Sequence, residues 1–194
     1  MAALIQNKNT LVNAALCYAT QRHGNQVRKG NDHIPYIFHP IDVANEVVYY
    51  SKLPHDDMEC AKVLAILHDV VEDTDGTLQE VQTLFGPEFR YAVSCLSKDP
   101  SITEEDPNSK MNSLCENLER IKDAPKWVWC VKMADRVSNL KNFPAMWSRE
   151  KIEQYLIESE LIANELREAS EGLYARLISR INTSANTLSI IYRS

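Results

Sequence analysis

The stretch LHDVVEDTD, residues 67–75, concentrates side chains that readily bind a metal ion. If it continues a helix, His68 and Glu72 are i,i+4 neighbours on one face. Asp69 and Asp73 form a second such pair. The carboxylates then lie near the helix C-terminus, where they oppose the helix dipole. A local conflict of this kind is typical of a functional site, and a bound cation would remove it.

A second segment, VKMADRVSNLKN at residues 131–142, predicts a helix that carries polar groups along one side. Lys132, Asp135 and Asn139 share that side at helical spacing. Apolar residues surround Asp135, and an unpaired buried carboxylate is costly. We therefore expect either a metal ion or a cationic partner such as Arg136 beside it.

A third segment, RKGNDHIPYIFHP at residues 28–40, brings His39 next to a helix start. Taken alone, His39 is more typical of a hydrogen-bonded core histidine than of a ligand. The combined set makes a mixed nitrogen and oxygen site for manganese, iron or another divalent ion, with open positions for water. Its members are His39, His68, Asp69 and Asp135.

The composition favours one all-α domain spanning residues 1–194, with its core at about 10–180 and a polar C-terminal tail. Only five of the 194 residues are glycine, and the eight prolines fall mostly between periodic apolar segments. The net charge of −6, without a Lys/Arg run, disfavours a nucleic-acid polymer as partner. A small anionic substrate stays compatible with it, because a metal and a few cations can reverse the field in one cleft.

The cysteines and the N-terminus predict a cytoplasmic protein without a membrane segment. The five cysteines are odd in number and form no CxxC pair, so we expect reduced thiols in a reducing compartment. The first residues lack a basic region and a long apolar core, and no apolar run reaches membrane-spanning length.

Successive helices must position the chemical groups. Asp56 with Glu59, Thr77 with Glu80, and Ser148 predict helix N-caps. Pro40 suits the first position of a helix. The polar stretch KDPSITEEDPNSK predicts an exposed loop. The expected helices cover about residues 10–23, 40–51, 58–73, 78–85, 88 onward, 113–122, 126–143, 149–169 and 172–181.

Four segments together resemble the hydrolase domain of RelA/SpoT-type proteins, within the HD-domain metallohydrolases. They are HGNQVRKGNDHIPYIFHPIDVA, LAILHDVVEDTDGT, FGPEF and VKMADRVSNLKN, in that order. WSREKIEQY and the lack of a synthetase domain are similar to the small, stand-alone alarmone hydrolases. The resemblance implies an all-α HD bundle and a manganese-dependent 3′-pyrophosphohydrolase that converts guanosine tetra- and pentaphosphate to GDP or GTP and pyrophosphate.

The resemblance also implies roles for individual residues. It makes His39, His68, Asp69 and Asp135 the metal ligands. Glu72 and Asp73 fall on the family's catalytic acidic pair, and Glu72 can accept a proton from water as a general base. Arg28, Lys29 and Asn139 fall on nucleotide-contacting positions. Tyr155 is expected to pack within a helix and is kept as a further candidate substrate contact.

The sequence departs from the family at three positions, Ser97, Ser138 and Asn142. In the family the position of Asn142 lies near the nucleotide, so the resemblance implies that this departure bears on base or ribose preference. Without the neighbouring motifs, Arg28 and Lys29 would read as a solvated loop. Two other functions stay open: an HD phosphohydrolase for another nucleotide, such as NADPH or a deoxynucleotide, and a non-catalytic nucleotide-binding regulator. The sequence makes no prediction of oligomeric state.

Overall fold

The computed structural model describes residues 8–28, 31–97 and 107–191. Over these ranges the chain is helical apart from one two-stranded antiparallel hairpin, which confirms the predicted all-α class. The elements are α1 (Lys8–His23), β1 (Val27–Arg28), β2 (Asn31–Pro35), α2 (Phe38–Tyr50), α3 (His55–Leu67), α4 (Val70–Asp73), α5 (Leu78–Phe85), α6 (Pro87–Leu96), α7 (Pro107–Lys122), α8 (Lys126–Asn139), α9 (Arg149–Leu166) and α10 (Glu171–Ile191), with a 3-10 turn at Arg167–Ala169.

Helices α3 and α8 form the centre of the bundle because apolar residues occupy most of their surface. Leu64 and Leu67 of α3 are fully buried, and so are Val131 and Met133 of α8. Helix α2 packs against both of them, and α3 packs against α8. The ends of these helices therefore meet, and they position the candidate site. No helix in the described part of the chain is long and apolar enough to span a bilayer.

The predicted helix caps are partly right. Thr77 and Glu80 form the expected capping box at α5, and Ser148 accepts a hydrogen bond from the backbone N–H of Lys151 at α9. The cap predicted at Asp56 is wrong. Helix α3 begins at His55 after Pro54, with no side-chain cap, so Asp56 lies in the first turn, where its charge still favours the helix dipole.

The expected continuous helix over residues 58–73 is also wrong. Helix α3 ends at Leu67, His68 and Asp69 form a turn, and α4 follows. The backbone of Asp69 has φ −97° and ψ −7°, outside regular helix geometry. The break turns both side chains toward α2 and α8 and starts a new helix for Glu72 and Asp73.

Other helix boundaries also differ from expectation. Helix α2 begins at Phe38, so Pro40 is its third residue, and α7 begins at Pro107 within the predicted loop. Helix α10 continues through the predicted polar tail to Ile191. Its polar residues alternate with a buried stripe that includes Ile181 and Leu188, and packing of this stripe outweighs their low helix propensity.

Candidate metal centre

Three helix ends bring the predicted ligand residues together. His39 is the second residue of α2, His68 and Asp69 form the turn between α3 and α4, and Asp135 lies in the last turn of α8. The ligand atoms of His39, His68 and Asp135 lie within 4.8 Å of one another. Asp69 Oδ2 lies 3.3 Å from His39 Nε2 and 3.1 Å from His68 Nε2. All four side chains therefore converge on one point.

Hydrogen bonds on the far side of each ring orient the two imidazoles. His39 Nδ1 lies 3.2 Å from Ser138 Oγ, and this hydroxyl donates to Asp42 Oδ2 at 2.7 Å. Ser138 Oγ is then the acceptor for the N–H at His39 Nδ1. His68 Nδ1 donates to the carbonyl of Ala65 at 2.8 Å. Both rings thus direct Nε2 at the carboxylates, the arrangement that metal-binding histidines use.

A second observation also indicates that these ligand atoms fit a divalent cation. Among the described residues, His68 Nε2 is a buried nitrogen without a hydrogen-bond partner of suitable geometry, and leaving such an atom unsatisfied is costly. Two imidazole nitrogens and two carboxylates can coordinate one divalent ion. A cation among them would satisfy His68 Nε2 and offset both negative charges.

The buried carboxylates and imidazoles of the site shift one another's pKa values. Burial alone would raise the pKa of Asp135, but the adjacent imidazoles of His39 and His68 hold it far below its usual range. Burial opposes protonation of His68, yet the nearby Asp69 and Asp135 raise its pKa well above its usual value. Protons and a metal ion therefore compete for the same ring nitrogens.

Tyr36 is a site residue that the sequence analysis missed. Its hydroxyl lies 2.5 Å from Asp69 Oδ2 and 2.9 Å from Asp73 Oδ2, while its ring stacks on His23 with centroids 4.5 Å apart. Burial and the two carboxylates raise the pKa of Tyr36 far above its usual range, so the hydroxyl stays a donor. Its position three residues before His39 was the only available signal.

The predicted catalytic pair lies in α4, directly after the ligand turn. Glu72 and Asp73 are both exposed. Asp73 reaches back to the site through the Tyr36 hydroxyl. Glu72 lies close enough to Lys132 of α8 for their charges to interact. Burial lowers the pKa of Lys132, although the nearby carboxylates of Asp135 and Glu72 oppose this shift. Both carboxylates are therefore exposed side chains next to the ligand turn.

The four substrate-contact candidates are Arg28, Asn139, Lys29 and Tyr155. Arg28 lies beside the site and donates to the carbonyl oxygen of Ser138 at 3.1 Å and to Asn139 Oδ1 at 3.4 Å. Asn139 Nδ2 donates to Asp135 Oδ1 at 2.7 Å. Lys29 lies outside the described residues.

Tyr155 belongs to an aromatic cluster of α9 and the preceding loop. Its ring lies 5.2 Å from Trp147 and 6.2 Å from Phe143, and the Arg136 guanidinium sits over it at 4.0 Å. Burial raises the pKa of Tyr155 to about 12. The expected packing role is therefore evident, and a substrate contact stays a prediction.

Comparison with known proteins identifies the relatives of this arrangement. A Drosophila melanogaster protein named guanosine-3′,5′-bis(diphosphate) 3′-pyrophosphohydrolase MESH1 is 30% identical over 166 residues, covering 84% of this chain and 88% of that protein. The mouse protein of the same name is 29% identical over 160 residues, covering 80% and 84%. A Brucella suis protein named GTP pyrophosphokinase rsh is 36% identical over 145 residues, which cover 73% of this chain but 18% of that protein.

Solved structures that superpose on this chain lead to the same group of proteins. A solved structure described as a metazoan ortholog of SpoT that hydrolyzes ppGpp superposes with a TM-score of 0.76 at 26% identity, covering 89% of this chain and 94% of that one. A Listeria monocytogenes structure with a TM-score of 0.55 and 20% identity, covering 76% of this chain and 97% of that one, shares the fold. The family model described as "HD domain" matches residues 15–180. This chain belongs to the HD-domain family.

Proposed function

We propose that this protein is a metal-dependent 3′-pyrophosphohydrolase that degrades guanosine tetra- and pentaphosphate to GDP or GTP and pyrophosphate. One observation carries the proposal: the four-residue ligand cluster lies in a chain similar to MESH1 pyrophosphohydrolases over most of both lengths. The flanking acidic pair of α4 makes a purely regulatory nucleotide-binding role less favoured, since such a role would need no general base.

His39, His68, Asp69 and Asp135 would hold the cation, which we propose to be Mn²⁺. The oxygen-rich, mixed set with two carboxylates suits manganese better than a thiolate-binding metal. When bound, a divalent ion supplies Lewis acidity toward a phosphoryl oxygen and lowers the pKa of a coordinated water. Tyr36 would hold Asp69 in its ligating orientation, and Ser138 would do the same for His39.

Hydrolysis requires a water oxygen to bond to the phosphorus attached to the 3′ oxygen, and that phosphorus–oxygen bond to break. Glu72, an exposed side chain next to the ligand turn, would accept the proton of the attacking water as general base. The same proton can then return to the departing 3′ oxygen. Asp73, fixed by the Tyr36 hydroxyl, would orient the water.

The substrate's phosphates would be bound by the side of the cluster that carries cations. Arg28 lies beside Asn139 and Ser138, so it can contact a phosphate near the metal site. Lys29 is the next residue and would add charge. We further propose that Asn139 and Tyr155 contact the nucleotide, and that Asn142 bears on base or ribose preference.

The remaining proposals concern setting and organisation. We propose a single domain over residues 1–194 in the cytoplasm, with a small nucleotide as its partner. A net charge of −6 supports the absence of nucleic-acid polymer binding.

The test is a substrate comparison at fixed Mn²⁺ concentration. Guanosine tetraphosphate, guanosine pentaphosphate, NADPH and a deoxynucleoside monophosphate are incubated with purified protein, and products are separated by ion-exchange chromatography. We expect pyrophosphate and GDP or GTP from the first two. Cleavage of the monophosphate alone would refute the alarmone assignment while leaving the family and the ligand cluster intact.

A matched pair of histidine variants tests the metal assignment. His68→Ala removes a buried ligand candidate and should abolish Mn²⁺ binding and hydrolysis together. His55→Ala removes an 86% exposed histidine and should leave both unchanged. Tight binding of one Mn²⁺ by the His68→Ala protein, measured by calorimetry, would contradict the assignment.

A further inference from the structure

A cavity of about 390 Å³ lies at the opposite end of α3 from the candidate metal centre. Glu59 in its wall and His68 at the ligand turn are nine residues apart, a rise of about 13 Å along a helix. Helices α1, α3, α5 and α6 enclose the cavity. Its lining residues are Leu11, Asp56, Asp57, Glu59, Cys60, Val63, Phe85, Glu88 and Phe89.

The lining combines an apolar floor with an acidic wall. Val63, Phe85 and Phe89 are 1%, 8% and 4% exposed, so they form a buried hydrophobic surface. Asp56, Asp57 and Glu88 come from the first turns of α3 and α6, and Glu59 comes from the next turn of α3. Among the described residues, the lining includes no basic side chain. A volume of this size accommodates a small organic molecule. The acidic wall repels anions, so a nucleotide is a poor occupant.

Glu59 makes this cavity different from an ordinary cluster of carboxylates at helix starts. Asp56 and Glu88 are exposed, and their charges offset the dipoles of α3 and α6. Glu59 is only 7% exposed. Its Oε1 pairs with Lys62. Among the described residues, its buried Oε2 has no hydrogen-bond partner.

A buried carboxylate oxygen without a donor is costly, and a donor that the Glu59 carboxylate meets by rotating into the cavity would offset this cost. The donor should carry positive charge, because the described lining holds four carboxylates and no basic side chain. Its remainder should be apolar, to cover Phe85 and Phe89. An ammonium or guanidinium group also interacts favourably with aromatic faces.

We propose that this cavity is a second binding site, for a small amphipathic organic cation: a protonated amine or guanidine that carries an apolar chain or ring. The charged group faces Glu59 and the acidic wall, and the apolar part rests on the floor. This site is independent of the proposed hydrolase activity, because it shares no residue with the metal centre.

The test uses phenethylamine as the cationic probe and 2-phenylethanol as its neutral counterpart of similar shape. Each is titrated by calorimetry into the full-length protein saturated with Mn²⁺. We expect one equivalent of phenethylamine to bind and 2-phenylethanol to bind at least about tenfold more weakly, because a charge-assisted hydrogen bond is lost. Equal affinity for the two probes, or no binding of phenethylamine, would overturn the proposal. Displacement of phenethylamine by excess Ca²⁺ would also overturn it, because the site would then hold inorganic cations.

Three variants sharpen the test. Glu59→Gln keeps the shape of the side chain and should weaken phenethylamine binding by about tenfold or more. Glu116→Gln, an exposed change on α7 away from the cavity, should have no effect. Leu11→Trp narrows the cavity from its partly buried edge and should block the probe whatever its charge. Wild-type affinity in Glu59→Gln would contradict the proposal. If that variant does not fold, wild-type affinity in Leu11→Trp would contradict it equally.

Discussion

At the residue scale, the Tyr36 hydroxyl shows how closely the site is organised. It lies within hydrogen-bond distance of both Asp69 and Asp73 but can donate its single proton to only one of them at a time. The second carboxylate oxygen must then find another donor or a cation. Through these two contacts the hydroxyl couples the ligand candidate Asp69 to the proposed catalytic pair.

Tyr36→Phe should therefore weaken Mn²⁺ binding by about tenfold, the usual effect of removing a hydrogen bond that orients a metal ligand. It should also lower kcat, because Asp73 loses its contact. Metal affinity is measured by calorimetry and kcat with guanosine tetraphosphate. Tyr49→Phe, which alters a 76% exposed ring on α2, is the control. Unchanged metal affinity in Tyr36→Phe would show that Asp69 needs no such support.

Glu72→Gln separates chemistry from binding. The variant should keep Mn²⁺ and nucleotide but lose turnover by roughly 100-fold or more, as expected for loss of a general base. Single-turnover kinetics and metal titration measure the two properties separately. Asp75→Asn, an 82% exposed carboxylate just beyond α4, is the matched control and should retain normal turnover. Near-normal turnover of Glu72→Gln would remove Glu72 from the mechanism.

The ligand candidates could be predicted from the sequence because histidine and aspartate side chains at helix ends are typical metal ligands by residue type alone. The sequence did not predict Tyr36, Ser138 or Asp42, since their contribution is a contact with residues distant along the chain. Ser138 and Asp42, for example, are separated by 96 positions. Ser138 was singled out only as a departure from the family. Its contact with His39 Nδ1 gives it an orienting position.

At the scale of elements, caps were predictable where side chain and backbone cooperate locally, as in the Thr77 and Glu80 capping box. The break at His68 and Asp69 was not. The apolar periodicity of α3 continues into α4, so the local pattern favours one helix. Contacts with α2 and α8 decide the break, and only the folded structure reveals them.

One close approach between elements gives a sharp prediction. A Cβ atom on Gly172, at the start of α10, would lie 2.2 Å from the backbone carbonyl oxygen of Tyr50 at the end of α2. Backbone cannot yield as a flexible side chain can. Gly172→Ala should destabilise the protein by about 2 kcal/mol, within the usual range for overpacking.

Thermal and urea unfolding measure this effect. The control is Asn186→Ala, an exposed change on the same helix that should leave stability unchanged or slightly raised. If the two variants were equally stable, α10 would have to shift away from α2 at little cost, and the tight contact would not restrain the helix.

At the scale of the whole molecule, one ion cluster ties distant parts of the chain. Glu46 of α2 is buried and accepts from Arg176 of α10 at 3.1 and 3.2 Å. Lys141, just after α8, lies 2.9 Å from Glu46 and 2.6 Å from Asp42. Burial alone would raise the pKa values of Glu46 and Asp42, but the cationic partners hold both below their usual range.

The sign of the resulting pH dependence follows from these lowered pKa values. The folded state binds fewer protons than the unfolded state, so the stabilisation is fully present above the unfolded pKa of about 4 and is lost as pH falls through the lowered values. Glu46→Gln should reduce stability at pH 7 and flatten its decline at acidic pH. Urea unfolding from pH 3 to 7 measures both. Glu153→Gln, which breaks an exposed pair with Arg149, should change neither. A steep acid decline that persists in Glu46→Gln would assign it to other carboxylates.

The place of α8 in the chain has a consequence for synthesis. Helices α2 and α3 emerge from the ribosome before α8, yet α8 supplies part of the apolar surface that covers both of them, some ninety residues after α2 begins. A nascent chain that ends before Lys126 would expose these faces to water and would lack Asp135. Packing of the helices at the centre of the bundle and assembly of the ligand cluster thus both require α8. The protein should collect in a collapsed, aggregation-prone form until α8 is translated, and then acquire its core and its ligand set together.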